Sequence, residues 1–258
     1  MRFTLLASLA AIATAVSASP IEKRAVKAKV YTTCSVPGTM ALTFDDGPYE
    51  YTWALADTLR AKGVTATFFM NGNNWVNVET QSVKTPAGVK TYKQVIKHVY
   101  DKGHQIASHT YSHKELGGLS TAEVKSEMTK LDKIFKSVIG KSPLYMRPPS
   151  GSYDDNTLAA LGSLGYKVIL WDIDSNDWRY KDISSLSNEQ ANYKSVIDKD
   201  SKKNPHGHIA LQHDVHKKTV TKLVPWVISY VKSKKNYKFV SVAECLGQSK
   251  TSAYKTSK

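Results

Sequence analysis

Short apolar runs alternate along this chain with stretches of helical character, and the alternation dictates the class of fold open to it. Thr39-Met40-Ala41-Leu42-Thr43-Phe44 reads as a buried strand that ends in a Gly47-Pro48 turn. A helix over 51–61 follows and is stopped by Gly63. The pattern repeats as a strand over 64–70, a helix over 92–102 up to Gly103, and a strand over 105–108. Ser120-Thr121-Ala122-Glu123 is an N-terminal cap signature for a helix running to about Ile139. Strands over 144–147, 167–173 and 208–212 then alternate with helices over 156–164, around 195–199 and over 219–233, and a strand over 238–242 comes last. About seven strand-then-helix units in one domain predict an α/β fold, a distorted (β/α)7-type parallel barrel. Residues 25–247 form that domain, and the Lys/Ser/Thr-rich residues 248–258 read as a basic, frayed tail.

Chemically suggestive residues collect at the C-terminal ends of these strands, where such barrels keep their sites. His109 and His113 are spaced i, i+4 in His109-Thr110-Tyr111-Ser112-His113. On a helix both imidazoles would lie on one face and reach one metal ion. With a single carboxylate they would leave coordination positions open to water, as a catalytic site needs. Alone, the spacing also fits two unrelated histidines among the 8 in the chain. Asp45 and Asp46 are adjacent at a strand end, so their side chains diverge, and they repel unless a cation neutralises one. Alone, Asp-Asp-Gly-Pro is equally a plain turn.

Residues 1–18 have the form of a secretory signal: Arg2, an apolar run from Phe3 to Val16, and small residues at Val16-Ser17-Ala18. That run is too short for a membrane span. Residues 19–24 read as a propeptide ending in the dibasic pair Lys23-Arg24, a site for a Kex2-like protease. In an oxidising compartment the two cysteines, Cys34 and Cys245, are expected to pair and fasten the first strand to the last element. The formal charge of +14 permits nucleic-acid binding, yet the lysines are scattered over solvated helix faces and secretion argues against it. The expectation is a secreted, extracellular protein, free or associated with the cell wall, with neither nucleic acid nor membrane as partner.

Five segments occur in a telling order: Thr43-Phe44-Asp45-Asp46-Gly47-Pro48, His109 to His113, Arg147-Pro148-Pro149-Ser150-Gly151, Asp174-Ser175-Asn176-Asp177-Trp178, and Ile209-Ala210-Leu211-Gln212-His213. In these the chain resembles the polysaccharide deacetylases, the NodB-homology domain of carbohydrate esterase family 4, over roughly residues 30–245. One departure is Ser150, where many members carry tyrosine. Because the family uses a backbone N–H there, the change bears on groove shape more than on chemistry. The resemblance implies that Asp46, His109 and His113 hold a divalent ion, Zn²⁺ with Co²⁺ as a substitute. It implies Asp45 as general base, Arg147 as the partner that keeps Asp45 ionised, and His213 as general acid with its pKa raised by Asp177. Ser150 would donate to an oxyanion, and Trp178 and Leu211 would wall a small pocket for the acetyl methyl.

Plainer readings stand beside these. Trp178 and Leu211 also fit a core, Asp177 a helix cap and Arg147 a surface ion pair. His98, His206, His208 and His216 lie off the motifs and read as exposed. Within that resemblance the expectation is a monomeric chitin deacetylase that acts on chitin or chitin oligomers and yields chitosan and acetate, chitin being favoured because the processing signals look fungal. Acetylxylan and peptidoglycan are the rival substrates, and a non-catalytic binder of chitin oligomers is the rival of another class.

Overall fold

The computed structural model describes residues 26–255 except 201 and 204. The signal peptide, the propeptide and residues 256–258 of the expected tail lie outside the described residues. In chain order the elements are β1 (Val30–Tyr31), β2 (Thr39–Asp45), α1 (Thr52–Ala61), β3 (Ala66–Met70), β4 (Ser82–Thr85), β5 (Gly88–Thr91) and α2 (Tyr92–Asp101). Next come β6 (Gln105–Ser108), α3 (Thr121–Ile139), β7 (Tyr145–Met146), α4 (Asp155–Ser163), β8 (Lys167–Ile169), β9 (Ile173–Asp174) and α5 (Ser187–Ile197). After β10 (His208–His213), a wide turn over Thr219–Leu223 leads into α6 (Val224–Ser233), β11 (Lys238–Phe239) and α7 (Val242–Cys245).

All pairings in the main sheet are parallel, in the order β1-β8-β7-β6-β3-β2-β10-β9, with β11 beside the first residues of β2. The parallel-barrel expectation is borne out as a curled half-barrel wrapped by helices. Every residue of β2, β3 and β6 is buried, as strands covered on both faces must be. Their side chains alternate with period two. Met40, Leu42 and Phe44 of β2 point outward and pack with Leu55, Val95, Ile96, Leu131 and Val227 of the helices. Ala41 points inward and joins Phe69, Ala107, Tyr145, Ile169 and Ile209.

The inner layer is plugged at the N-terminal end of the strands by α7. The Val242 and Ala243 N–H groups donate to Thr67 Oγ1 and Gln105 Oε1, both at 2.9 Å. Cys245 of this plug is disulfide-bonded to Cys34, as expected, across 211 residues of chain. Closing so long a loop contributes up to about 5 kcal/mol in the chain-entropy model.

The fold differs from the sequence reading in three places. The run over 167–173 is not one strand: Leu170 N–H donates to Tyr31 O and Asp172 N–H to Ile209 O. The chain therefore crosses the open side of the half-barrel between its two edges. The tail read as frayed over 248–258 is docked over 249–255. Ser249 caps a turn over Lys250–Ala253, Leu144 N–H donates to Ala253 O at 2.8 Å, and Lys255 Nζ pairs with Asp132 at 2.9 Å. The third, the hairpin β4–β5, was not anticipated at all.

Candidate active site

Register brings the functional residues together. β10 pairs with β2 so that His213 stands beside Asp45 and Leu211 beside Thr43. Asp45 shares the inward side of β2 with Ala41, two steps of the alternation away. It therefore emerges at the top of the barrel interior, 3% exposed.

Asp46, His109 and His113 offer ligand atoms that all lie within 4.8 Å of one another. Asp46 Oδ1 is 3.1 Å from His113 Nε2 and 3.5 Å from His109 Nε2. The expectation that the two histidines share a helical face is corrected: they sit on a loop after β6. Left-handed backbone at Thr110 (φ 68°) and His113 (φ 57°) breaks any helix there and turns both rings inward. Neighbouring groups hold the loop. Asn71 Nδ2 donates to His109 O and Thr110 O at 2.5 and 2.8 Å. The Glu127 carboxylate on α3 accepts from Ser112 N–H and Oγ at 2.8 and 2.9 Å. His109 Nδ1 donates to Arg147 O at 2.8 Å, which leaves Nε2 as the nitrogen that could ligate an ion.

Asp46 is itself left-handed (φ 76°), as are Ser150 (φ 55°) and Asn176 (φ 53°). Among the described residues, the one other non-glycine residue with positive φ is Lys235. Such conformations cost of order 1–3 kcal/mol each and persist where the surroundings over-determine them. Burial works against ionisation of Asp46, but the two imidazoles outweigh it and hold the carboxyl well below the usual range.

Arg147 is wholly buried, so the reading of it as a surface ion pair fails. Nη1 donates to Asp45 Oδ1 and Thr43 Oγ1, each at 2.7 Å, Nε to Ile169 O at 3.1 Å and Nη2 to Leu170 O at 2.9 Å. Its guanidinium carbon lies 4.3 Å from the Phe69 ring centroid and 5.3 Å from that of Trp171. A buried cation is tolerable only when its nitrogens are hydrogen-bonded and its charge is paired, as here. Asp45 Oδ1 is thereby occupied, while Oδ2 lies 3.7 Å from His109 Nε2, on the side of the Asp46 triad.

His213 Nδ1 donates to Asp177 Oδ1 at 2.7 Å. The Asp177 carboxylate also accepts from His213 N–H (2.8 Å), Thr219 Oγ1 (2.7 Å) and Trp178 N–H (3.0 Å). Burial raises the Asp177 pKa, and the charge and hydrogen bonds around it more than reverse that, for a net lowering. For His213 burial opposes the charged form, yet Asp177, with Asp46 and Asp45 behind it, pushes the imidazole up to about 10. His213 Nε2 has no hydrogen bond among the described residues.

The remaining sequence-derived candidates are placed as follows. Ser150 is exposed in a tight turn, and its N–H carries no hydrogen bond among the described residues. Leu211 is buried beside Thr43. Trp178 is 48% exposed with Arg179 over its ring, which removes the reading of it as core. Of the four histidines read as exposed, His206 is so; His208 is buried between two carboxylates, and His98 stacks on Trp53 at 3.6 Å. Half-buried His216 meets the His213 ring at 5.7 Å and the half-exposed Trp75 at 6.1 Å, and Trp75 also meets Tyr49. Sequence reasoning missed Trp75, Asn71, Glu127, Thr219 and Asp214. The Asn71-Gly72-Asn73-Asn74 loop directly after a strand was the one signal that pointed to any of them.

Residues 33–169 match the polysaccharide deacetylase family. A chitin deacetylase from Pestalotiopsis sp is 39% identical over 250 residues, covering 96% of this chain and 78% of that protein. The solved chitin deacetylase of Colletotrichum lindemuthianum has a TM-score of 0.80 at 35% identity, over 89% of this chain and 96% of that one. The solved Bc1960 peptidoglycan N-acetylglucosamine deacetylase follows with a TM-score of 0.69 at 26% identity, over 87% of this chain and 95% of that one.

Proposed function

The chain belongs to the polysaccharide deacetylase family, and from that premise we propose that it removes N-acetyl groups from the GlcNAc residues of chitin or its oligomers, leaving chitosan and acetate. The observation that carries this reading is the arrangement of a carboxylate and a protonated histidine on neighbouring strands in register, beside a triad suited to a divalent ion. The donor set of one carboxylate and two neutral imidazoles suits zinc, with cobalt as a substitute, and leaves coordination positions open. Asp46 Oδ1 fits the same role: it is buried, near two ring nitrogens, and accepts no hydrogen bond among the described residues.

When bound, the ion supplies Lewis acidity at the acetamide carbonyl and lowers the pKa of the attacking water. Asp45 takes the proton from that water through Oδ2, since Oδ1 is committed to Arg147. The free N–H of Ser150 donates to the oxyanion as the carbonyl carbon becomes tetrahedral. His213 then passes its proton from Nε2 to the departing amine, which without it would leave poorly. Asp177 makes this possible by keeping His213 protonated. Base and acid are thus held in opposite protonation states by separate partners, Arg147 for one and Asp177 for the other. Leu211 and Trp178 supply apolar surface for the methyl group. The exposed faces of Trp75 and Trp178 suit the flat face of a sugar ring.

Chitin is preferred over acetylxylan because a strongly raised acid is needed more for an amine than for an alkoxide. The relative that acts on peptidoglycan supports the third substrate. A non-catalytic oligomer binder is disfavoured, since it would need neither Asp45 nor His213. The disulfide supports an extracellular protein, and among the described residues no helix is long and apolar enough to cross a membrane. We read it as a monomer with a polysaccharide as its partner. Acetate release from chitin oligomers, acetylxylan and peptidoglycan, assayed side by side, decides the substrate. Faster release from acetylxylan would overturn the choice of chitin.

A further inference from the structure

Asp214 takes no part in the chemistry above, yet it is wholly buried directly behind the turn that carries Asp45 and Asp46. It follows His213 in the chain. Its Oδ2 accepts a short hydrogen bond from Thr52 Oγ1, and Thr52, the first residue of α1, accepts in turn from Tyr49 N–H at 2.8 Å. Oδ1 is buried without a partner. The carboxyl group lies flat on Gly47: a Cβ built there would sit 2.4 and 2.6 Å from its two oxygens, closer than any side chain tolerates. Gly47 O accepts from Asn71 N–H at 2.8 Å, so the same backbone unit also meets the residue that holds the histidine loop.

An incompletely paired buried carboxyl lowers stability, and an apolar residue of similar size would pack there at less cost. Its presence against this one turn calls for a function. We propose that Asp214 is the positioning residue of the ion site. Through Thr52 it fixes Tyr49, and by contact with Gly47 it fixes the left-handed backbone of Asp46, so that Oδ1 is presented to His109 and His113. Asp214 acts here by shape and hydrogen bonding, not by charge. The proposal rests on the reading of Asp46 as a ligand.

The test is the affinity of the chelator-stripped protein for Zn²⁺ and Co²⁺ by calorimetry, with the visible spectrum of the Co²⁺ form. Circular dichroism and the thermal midpoint in chelator report the fold. Asp214→Ala is expected to weaken ion binding about 10–100-fold, the range typical of residues that orient ligands. Thr52→Val, which keeps the volume and removes the donor, is expected to weaken it in the same direction and to alter the Co²⁺ spectrum. Asp214→Asn keeps the shape and an acceptor and is expected to bind within about 3-fold of wild type. Wild-type affinity in both Asp214→Ala and Thr52→Val overturns the proposal. So does an Asp214→Asn as weak as Asp214→Ala, because charge would then be the active property. Should Asp214→Ala fail to fold, Thr52→Val and Asp214→Asn decide the matter alone. Wild-type protein that binds neither ion defeats the ligand assignment of Asp46 itself, a result distinct from the others.

Discussion

At the two ends of β10 stand His208 and His213, each with a carboxylate at Nδ1. His208 has its second nitrogen taken as well, by Asp200 at 3.0 Å, with Asp172 at 2.5 Å on the first. Asp200 is further tied to His206 and to the Tyr237 hydroxyl, and Asp172 accepts from Ile209 N–H. Nothing is left on His208 with which to meet a substrate, so it clamps the bottom of the barrel. His213 has one nitrogen tied and the other free. One strand thus carries a brace and the residue we propose as proton donor, and they are separated by a single hydrogen bond and by the end of the strand on which each falls. The loops that build a site gather at the C-terminal end.

Substitutions can break this contrast. The largest expected effect belongs to the upper end: His213→Asn should lower kcat by about 10²–10⁴-fold with KM and thermal midpoint little changed. Asp45→Asn should do the same and leave bound metal intact, measured by acetate release and metal analysis. Near-normal turnover in either variant removes that residue from the chemistry. The lower end should behave in the opposite way. His208→Gln leaves the Asp172 and Asp200 charges without their cation, at a cost of about 3–5 kcal/mol in denaturant unfolding, while kcat stays within about 2-fold of wild type.

Asp177→Asn sharpens the comparison through pH. Against burial, Asp177 is the chief group that lifts His213 to about 10, ahead of Asp46 and Asp45, so its loss should move the alkaline limb of kcat to lower pH. An unmoved limb would break the link between the pair and the acid step. At the lower end, burial opposes the charged form of His208, but Asp172 and Asp200 raise its pKa overall. Its contribution to stability is therefore complete below the unfolded value of 6.5 and is lost as pH rises through the folded one. Against burial, Tyr237, His206 and His208 depress Asp200 to about 2, so its share is present above 3.8 and is lost as pH falls through about 2. The thermal midpoint of wild type should decline above pH 6.5, and His208→Gln should flatten that decline. The smallest effect is expected of His206→Ala at the exposed rim, within about 0.5 kcal/mol.

Much of this was legible in the linear chain. The strand over 105–108 and the helix from the Ser120 cap to Ile139 stand where the pattern places them, because capping and apolar periodicity are local properties. The possible metal triad and the residues we propose as base and acid were legible as residue types in order. The geometry of the histidine loop was not. An i, i+4 spacing mimics a helix, and the left-handed turns at Thr110 and His113 are imposed by Asn71 and Glu127, both distant in sequence. The hairpin over 82–91 escaped because it is short and largely exposed, with no apolar alternation to mark it.

What the sequence determined by itself was the alternation of strand and helix, the pairing of two cysteines, and the set of side chains able to do this chemistry. Tertiary structure decided how they are arranged. Register set Asp45 beside His213, packing buried Arg147 with each of its three nitrogens hydrogen-bonded, and the second nitrogen of each histidine found a carboxylate or did not. Register above all depends on which residues meet across the sheet, and no local pattern encodes a meeting between residues more than 160 positions apart, as Asp45 and His213 are.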